Sequence, residues 1–351
     1  MKAQLILENG QRFEGTMFGA IKDIAGEIVF TTGMCGYQET LTDPALCGQI
    51  VTMSFPLVGN YGINLDDNEA PRTYLNALVV REKCDFPSNF RNEMNLDDFL
   101  REEGVVGIEG VDTRALTRLI RDNGCMKAVI MQGNPTDEDV KALMDKLDNS
   151  DVIMRATTKK AYTINEKGTT HVAFIDLGTK AGILRSLEKR GCKITVLSAD
   201  VKAEEIEKLN PDFVFLSSGP GDPADAPGTV DEVKKLIGKY PIFGICLGHL
   251  VLGMALGCKV EKMKFGHHGG NHPAKDVASG KCYVTSQSHN HILCDLPDDV
   301  EEMFVNVNDG TCEGIMHKTL PIMSVQFHPE AAPGPHESEW VFDRFMEAVN
   351  K

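Results

Sequence analysis

One cysteine of this chain stands in surroundings that suit a nucleophile. Cys246 comes directly after the apolar run 242–245 (IFGI), precedes an apolar helical stretch at about 250–256, and has Gly244 and Gly248 on either side. Strand, sharp turn, nucleophile and helix in this G-x-C-x-G pattern describe a nucleophile elbow, with the glycines giving the backbone room to turn. An elbow sets the sulfur at a helix N-terminus, where the macrodipole and unpaired N–H groups favour thiolate over thiol. The N–H of Leu247 faces the same point and can donate to an oxyanion. A cysteine between two glycines is also compatible with a buried residue in a tight turn, so its company decides the reading.

A second apolar run, 323–327 (MSVQF), ends in His328-Pro329-Glu330. A histidine at the carboxyl end of a strand can take the thiol proton as general base and return it to a leaving amine. Glu330 can hydrogen-bond the imidazole and hold its tautomer. The stretch 217–223 (SSGPGDP) follows the run FVFL, and its Gly219 and Gly221 can bring bare backbone amides near a ligand as an oxyanion donor or substrate clamp. Each feature alone reads as an ordinary turn. Together they point to acyl transfer through a cysteine.

These residues need a scaffold that gathers strand ends. From 172 onward, apolar runs at 172–175 (VAFI), 193–197 (KITVL), 213–216 and 242–245 alternate with helical stretches at 181–190, 204–209 and 230–237. Runs apolar on both faces between amphipathic helices predict an α/β fold, a doubly wound, mostly parallel sheet whose ligands bind at the carboxyl ends of the strands. Residues 1–150 read differently, as a smaller α+β domain. Short strands such as 4–7 and 27–30 are followed by helices at 113–122, stopped by Asn123-Gly124, and at 137–146, started by Pro135-Thr136. The polar stretch between them places a linker at 151–170 and the catalytic domain at 171–351.

Composition narrows the partners. A chain of 351 residues suits two domains, and its formal charge of −15 repels nucleic acid and anionic membrane surfaces. It has no signal-like segment and no apolar 18-mer, so no membrane association is expected. The ten cysteines include no CxxC pair, which argues against a zinc ribbon or a disulfide scaffold and for free thiols in a reducing, cytoplasmic setting. His267, His268 and His272 cluster beside Gly266, Gly269 and Gly270 without a neighbouring Asp, Glu or Cys. That stretch is expected to be a structured glycine loop, with no metal.

GICLGH (244–249), SSGPGDP (217–223) and FHPE (327–330) resemble the motif set of class I, triad-type glutamine amidotransferases, over roughly residues 170 to 350. GYQETLTDP (36–44), SNFR (88–91), VDTRALTRLIRDNG (111–124), KFGHHGGNHP (264–273) and PGPHE (333–337) are similar to the small subunit of carbamoyl-phosphate synthetase. The resemblance implies that Cys246, His328 and Glu330 form a triad that releases ammonia from L-glutamine through a glutamyl thioester. It also implies a heterodimer with a large synthetase subunit, contacted by residues 1–150, in arginine or pyrimidine biosynthesis. ATP and Mg would serve that partner; this chain has no GxxxxGK[ST] loop and no cofactor is expected in it.

Several substrate-contact positions depart from the family pattern. Leu250 stands where relatives carry Gln, Ser288, Asn290 and His291 replace Asn, Gly and Phe, and Ala45 replaces a serine. With Gly219, Gly221 and Leu247, these form the expected substrate-binding set. Each hydrogen bond to glutamine lost without replacement costs on the order of 1.5–3 kcal/mol. The expectation is a working glutaminase subunit with a rearranged pocket; the alternatives are a weakened structural or regulatory subunit of an ammonia-using synthetase and, more remotely, a free-standing hydrolase.

Overall fold

Alternating apolar residues in the first 130 positions close a barrel. A computed structural model describes residues 1–349 and divides the chain into two units, the first being Met1–Asn149. Around its barrel run Lys2–Leu7, Arg12–Gly19, Val106–Glu109, Ala77–Val79, Gln49–Met53, Ile24–Thr31 and Met126–Gln132, which pairs back to the first strand. Leu5, Ile28, Ile50, Leu78, Ile108 and Ile130 are completely buried. Closure leaves no free sheet edge in the barrel.

The helix Thr113–Asn123 starts where the Asp112 carboxylate accepts the Ala115 N–H at 3.0 Å, and it buries Leu116 and Ile120. The helix Asp137–Met144 starts at a capping box between Thr136 and Asp139. Both lie within two residues of the sequence expectation. Ala45 is buried in the short 3₁₀ turn Pro44–Leu46 of this unit, its N–H donating to Asp43.

The second unit begins at Ser150. Its sheet has ten strands, ordered Tyr162–Ile164, Cys192–Ser198, Thr170–Asp176, Phe213–Leu216, Ile242–Ile245, Ile322–Val325, Cys312–His317, Val300–Asn306, Lys259–Asp276 and Cys282–Cys294. The run from Cys192–Ser198 to Ile322–Val325 is parallel throughout. Side chains alternate across it. Ala173, Ile175, Val214 and Leu216 pack with Ile206, Val233 and Leu252 on one face, while Val172, Phe174, Phe213 and Phe215 pack with Ile183, Leu187 and Phe345 on the other. Helices therefore cover both faces, as a parallel sheet requires.

Two expectations are corrected. The supposed linker at 151–170 is not a free connection: Val152–Ala156 is helical, and Tyr162–Ile164 adds an antiparallel edge strand against Ile194–Val196. Its polarity reflects an exposed edge, where one row of backbone groups faces solvent. The glycine- and histidine-rich stretch is not a loop either. It belongs to the long strand Lys259–Asp276, paired with Cys282–Cys294 and interrupted between Lys262 and His267 and between Gly269 and His272. Glycines in a strand often mark such bulges, which hide the period-2 signal.

Candidate active site

Cys246 occupies the turn between the strand Ile242–Ile245 and the helix Leu247–Leu256, at φ 53° and ψ −108°. A non-glycine residue in this region is strained by about 1–3 kcal/mol and persists only where its surroundings hold it. Here the Cys246 N–H donates to Val325 O at 2.9 Å, and the Gly248 N–H donates to Ser217 O at 2.9 Å. The glycines are needed for space. A Cβ on Gly244 would lie 2.7 Å from Gly248 O, and one on Gly248 would collide with Leu216 O. No side chain caps this helix, so the first-turn N–H groups, Leu247 among them, have no partner within the helix.

His328 follows the neighbouring parallel strand Ile322–Val325, and its N–H donates to Ser286 O at 2.8 Å. Its Nδ1 lies 2.7 Å from Glu330 Oε1, and both residues are buried. Burial alone would lower the imidazolium's pKa; the charges of Glu330 and Cys246 outweigh it and raise His328 to about 10. Burial alone would raise Glu330, but Lys180 and His328 hold it at about 2. Nδ1 is taken, so the nitrogen available to the sulfur is Nε2, and Cys246 raises the His328 pKa both by its charge and by its side-chain contact with the imidazole.

Lys180 is absent from the motif reading. It lies just past the carboxyl end of Thr170–Asp176, with Nζ 3.2 Å from Glu330 Oε1 and 2.5 Å from Ala331 O, and it is 2% exposed. The turn that carries it is held by Asp176, whose carboxylate accepts the N–H groups of Gly178 and Thr179. A lysine following a strand end in Asp-Leu-Gly-Thr-Lys was the available signal. His249 closes the GICLGH motif but carries no role in the motif reading. It is fully buried, pairs through Nδ1 with Ser324 Oγ at 2.8 Å, and so ties the elbow helix to the strand leading to His328.

Family profiles divide the chain in the same way as its fold. The carbamoyl-phosphate synthase small chain domain matches residues 5–130, and glutamine amidotransferase class-I matches residues 173–348. The carbamoyl phosphate synthase small chain of Clostridium perfringens is 52% identical over 346 residues, covering 99% of both chains. The chain belongs to the carbamoyl-phosphate synthase small-chain family. A pyrimidine-specific small chain from Bacillus subtilis is 45% identical, covering 99% of this chain and 96% of the relative.

The small-chain departures sort by position. The Cys246 sulfur lies 3.6 Å from Ser288 O, so position 288 meets the nucleophile through its backbone, whatever its side chain. Asn290 Oδ1 pairs with His268 Nε2 at 2.9 Å. His291 Nε2 lies 3.3 Å from Asp222 Oδ2, a bridge from the hairpin to the Gly-Pro-Gly turn that a phenylalanine could not make. That pairing, ahead of the opposing effect of burial, lowers the Asp222 pKa. In the same turn, a Cβ on Gly219 would collide with Leu177 O, and Gly221 has φ +87°.

Leu250 is 2% exposed and packs in the cluster containing Leu216, Leu247 and Leu293. Ala45 belongs to the first unit.

Proposed function

We propose that Cys246, His328 and Glu330 hydrolyse glutamine, and that the chain is the ammonia-releasing subunit of a carbamoyl-phosphate synthase. The observation that carries this reading is the strained elbow at Cys246 beside a histidine whose Nδ1 is fixed 2.7 Å from Glu330. The thiolate attacks the side-chain carbonyl carbon of glutamine. Negative charge collects on the amide oxygen, where the Leu247 N–H and the backbone of the Gly219 turn can donate. His328, protonated through the influence of Glu330, gives its proton to the departing ammonia. It then takes a proton from the water that opens the glutamyl thioester, and glutamate leaves.

The ammonia passes to a large subunit, to which this reading assigns the ATP and Mg chemistry, since the sequence offers no phosphate-binding loop. The first unit, which carries family motifs but none of the triad, is the proposed contact with that subunit. Ten free cysteines fit a reducing cytoplasmic setting. Among the described residues no helix is long and apolar enough to cross a membrane.

The deciding experiment measures glutamate and carbamoyl phosphate from the purified chain with and without a large subunit. Cys246→Ser should abolish synthesis from glutamine and spare synthesis from added ammonia. Glutamine-dependent synthesis that survives this substitution would refute the assignment.

A further inference from the structure

Behind the hairpin that carries Ser288, several ligand atoms converge in the interior. His267 Nδ1 lies 3.0 Å from Gln287 Oε1 and 3.5 Å from Glu313 Oε1, and His289 Nε2 lies 2.8 Å from the same Gln287 oxygen. The ligand atoms of His267, His289 and Glu313 are within 4.8 Å of one another, and all three residues are buried. Glu313 Oε1 accepts from Asn306 Nδ2 at 2.7 Å, but among the described residues Oε2 has no hydrogen-bond partner although Glu313 is 0% exposed. An orphaned carboxylate oxygen at this depth is costly unless something positive meets it.

The protons do not close this network. His289 Nδ1 faces the carbonyl oxygen of His291 at 2.9 Å, so its proton sits there. With the Nδ1 proton engaged there, the inward nitrogen Nε2 presents its lone pair. That lone pair faces Gln287 Oε1, because the Gln287 amide nitrogen donates to Thr285 Oγ1 at 3.1 Å. Turning the amide over would set its oxygen against Thr285 Oγ1, whose only proton goes to His272 O at 2.7 Å. His267 Nε2 faces Asp309 Oδ2 at 2.9 Å, leaving Nδ1 to point inward.

We propose that this cluster binds a divalent transition-metal ion, zinc by preference, through His267 Nδ1, His289 Nε2 and a carboxylate oxygen of Glu313, with Gln287 Oε1 in the fourth position. Two imidazoles and a carboxylate are a common zinc donor set, with ligand distances of about 2.0–2.2 Å. Both histidines have the outer partner that metal-bound imidazoles use, a carboxylate in Asp309 for one and a backbone carbonyl in His291 for the other. Tetrahedral donors stand about 3.4 Å apart at those lengths, so binding draws the widest pairs, up to 4.8 Å now, inward by roughly 1 Å and moves Gln287 Oε1 outward by about 0.5 Å. The ion would pin three strands together. Two of its ligands, Gln287 and His289, flank Ser288, whose carbonyl oxygen backs the Cys246 sulfur.

The test uses the full chain, stripped with a chelator and titrated with cobalt(II) and then zinc. The expected result is about one equivalent of cobalt per chain, visible d–d bands without sulfur charge transfer, and displacement by zinc. Glu313→Gln should lose the bands, and Asp309→Asn, which spares every ligand, should weaken binding about 10–100-fold. If Glu313→Gln fails to fold, Asp309→Asn decides. Absent cobalt bands, sulfur charge transfer marking cysteine ligation, or unchanged affinity in either folded variant would overturn the proposal and leave a proton on His267 as the cluster's only cation.

Discussion

Lys180 and Glu330 form an ion pair at 3.2 Å, with side-chain exposures of only 2% and 0%. Glu330 Oε1 therefore serves two cations, since His328 meets the same oxygen. The lysine holds the carboxylate ionised against burial, and the ionised carboxylate holds the imidazole's tautomer. Removing one member of such a pair strands the other in low dielectric. Lys180→Met should destabilise the second unit by about 3–5 kcal/mol. Denaturant unfolding followed by Trp340, the sole tryptophan and a residue of that unit, measures this. A loss below about 1 kcal/mol would make the pair no stronger than a surface contact.

His328→Asn should lower thioester formation by about 10²–10⁴-fold, the usual worth of a positioned acid–base group. Glu330→Gln should cost less, because a glutamine keeps an acceptor near Nδ1 while giving up the charge. Rapid-quench measurement of the acyl-enzyme checks the order. Equal and negligible losses would remove support for both roles.

The pH dependence of stability has a definite sign on each side. Glu330 is depressed to about 2, so its contribution is present above the ordinary carboxylate range and fades as pH falls toward 2. His328 is raised to about 10, so its contribution is full below ~6.5 and is lost as pH climbs from there to 10. The denaturation midpoint of the second unit should therefore fall between pH 6.5 and 10, and Glu330→Gln should flatten that decline. An identical alkaline slope in both proteins would contradict it.

The hairpin should control glutamine affinity separately from the chemical step. Changing Ser288→Asn, Asn290→Gly and His291→Phe together restores the family pattern around the Cys246 sulfur. It should lower KM for glutamine about tenfold, near 1.4 kcal/mol, with a smaller change in kcat. Steady-state ammonia release gives both constants. No change in KM would mean that the bridge from His291 to Asp222 already rebuilds the pocket.

Leu250→Gln should behave differently, because it places an amide in an apolar cluster. An amide left without partners there costs about 1–3 kcal/mol, whereas Leu250→Met should cost less than about 1.5. Thermal unfolding of the two variants compares them directly.

The grouping of Cys246, His328 and Glu330 was legible because each sits beside a strong local signal. Cys246 and His328 end apolar runs, and Glu330 follows two residues later. Lys180 was not, since its partners Glu330 and Ala331 lie on a distant turn that only the sheet brings near. The cluster of His267, His289 and Glu313 comes from three strands, and sequence spacing marks His267 alone, with neighbours His268 and His272 that are not its partners there. Leu250, named from the family pattern, packs in one cluster with Leu216 and Leu293, a grouping that spacing alone does not reveal. In the first unit, strand positions and helix caps were readable, while barrel closure depended on the pairing of Lys2–Leu7 with Met126–Gln132.

The hydrogen bonds around Cys246 also govern how the site breathes. Its N–H is tied to Val325 O, that of Gly248 to Ser217 O, and that of His328 to Ser286 O. The Cys246 amide thus hangs from the centre of the sheet, whereas the His328 amide is held by Ser286 of the outermost strand, Cys282–Cys294. Deuterium uptake at Cys246 should track the slowest opening of the unit, while His328 should exchange with opening of the outer hairpin and the edge strand Tyr162–Ile164 earlier than Cys246. Opening of the outer hairpin would then loosen the histidine's anchor while Cys246 is still held by the central strand.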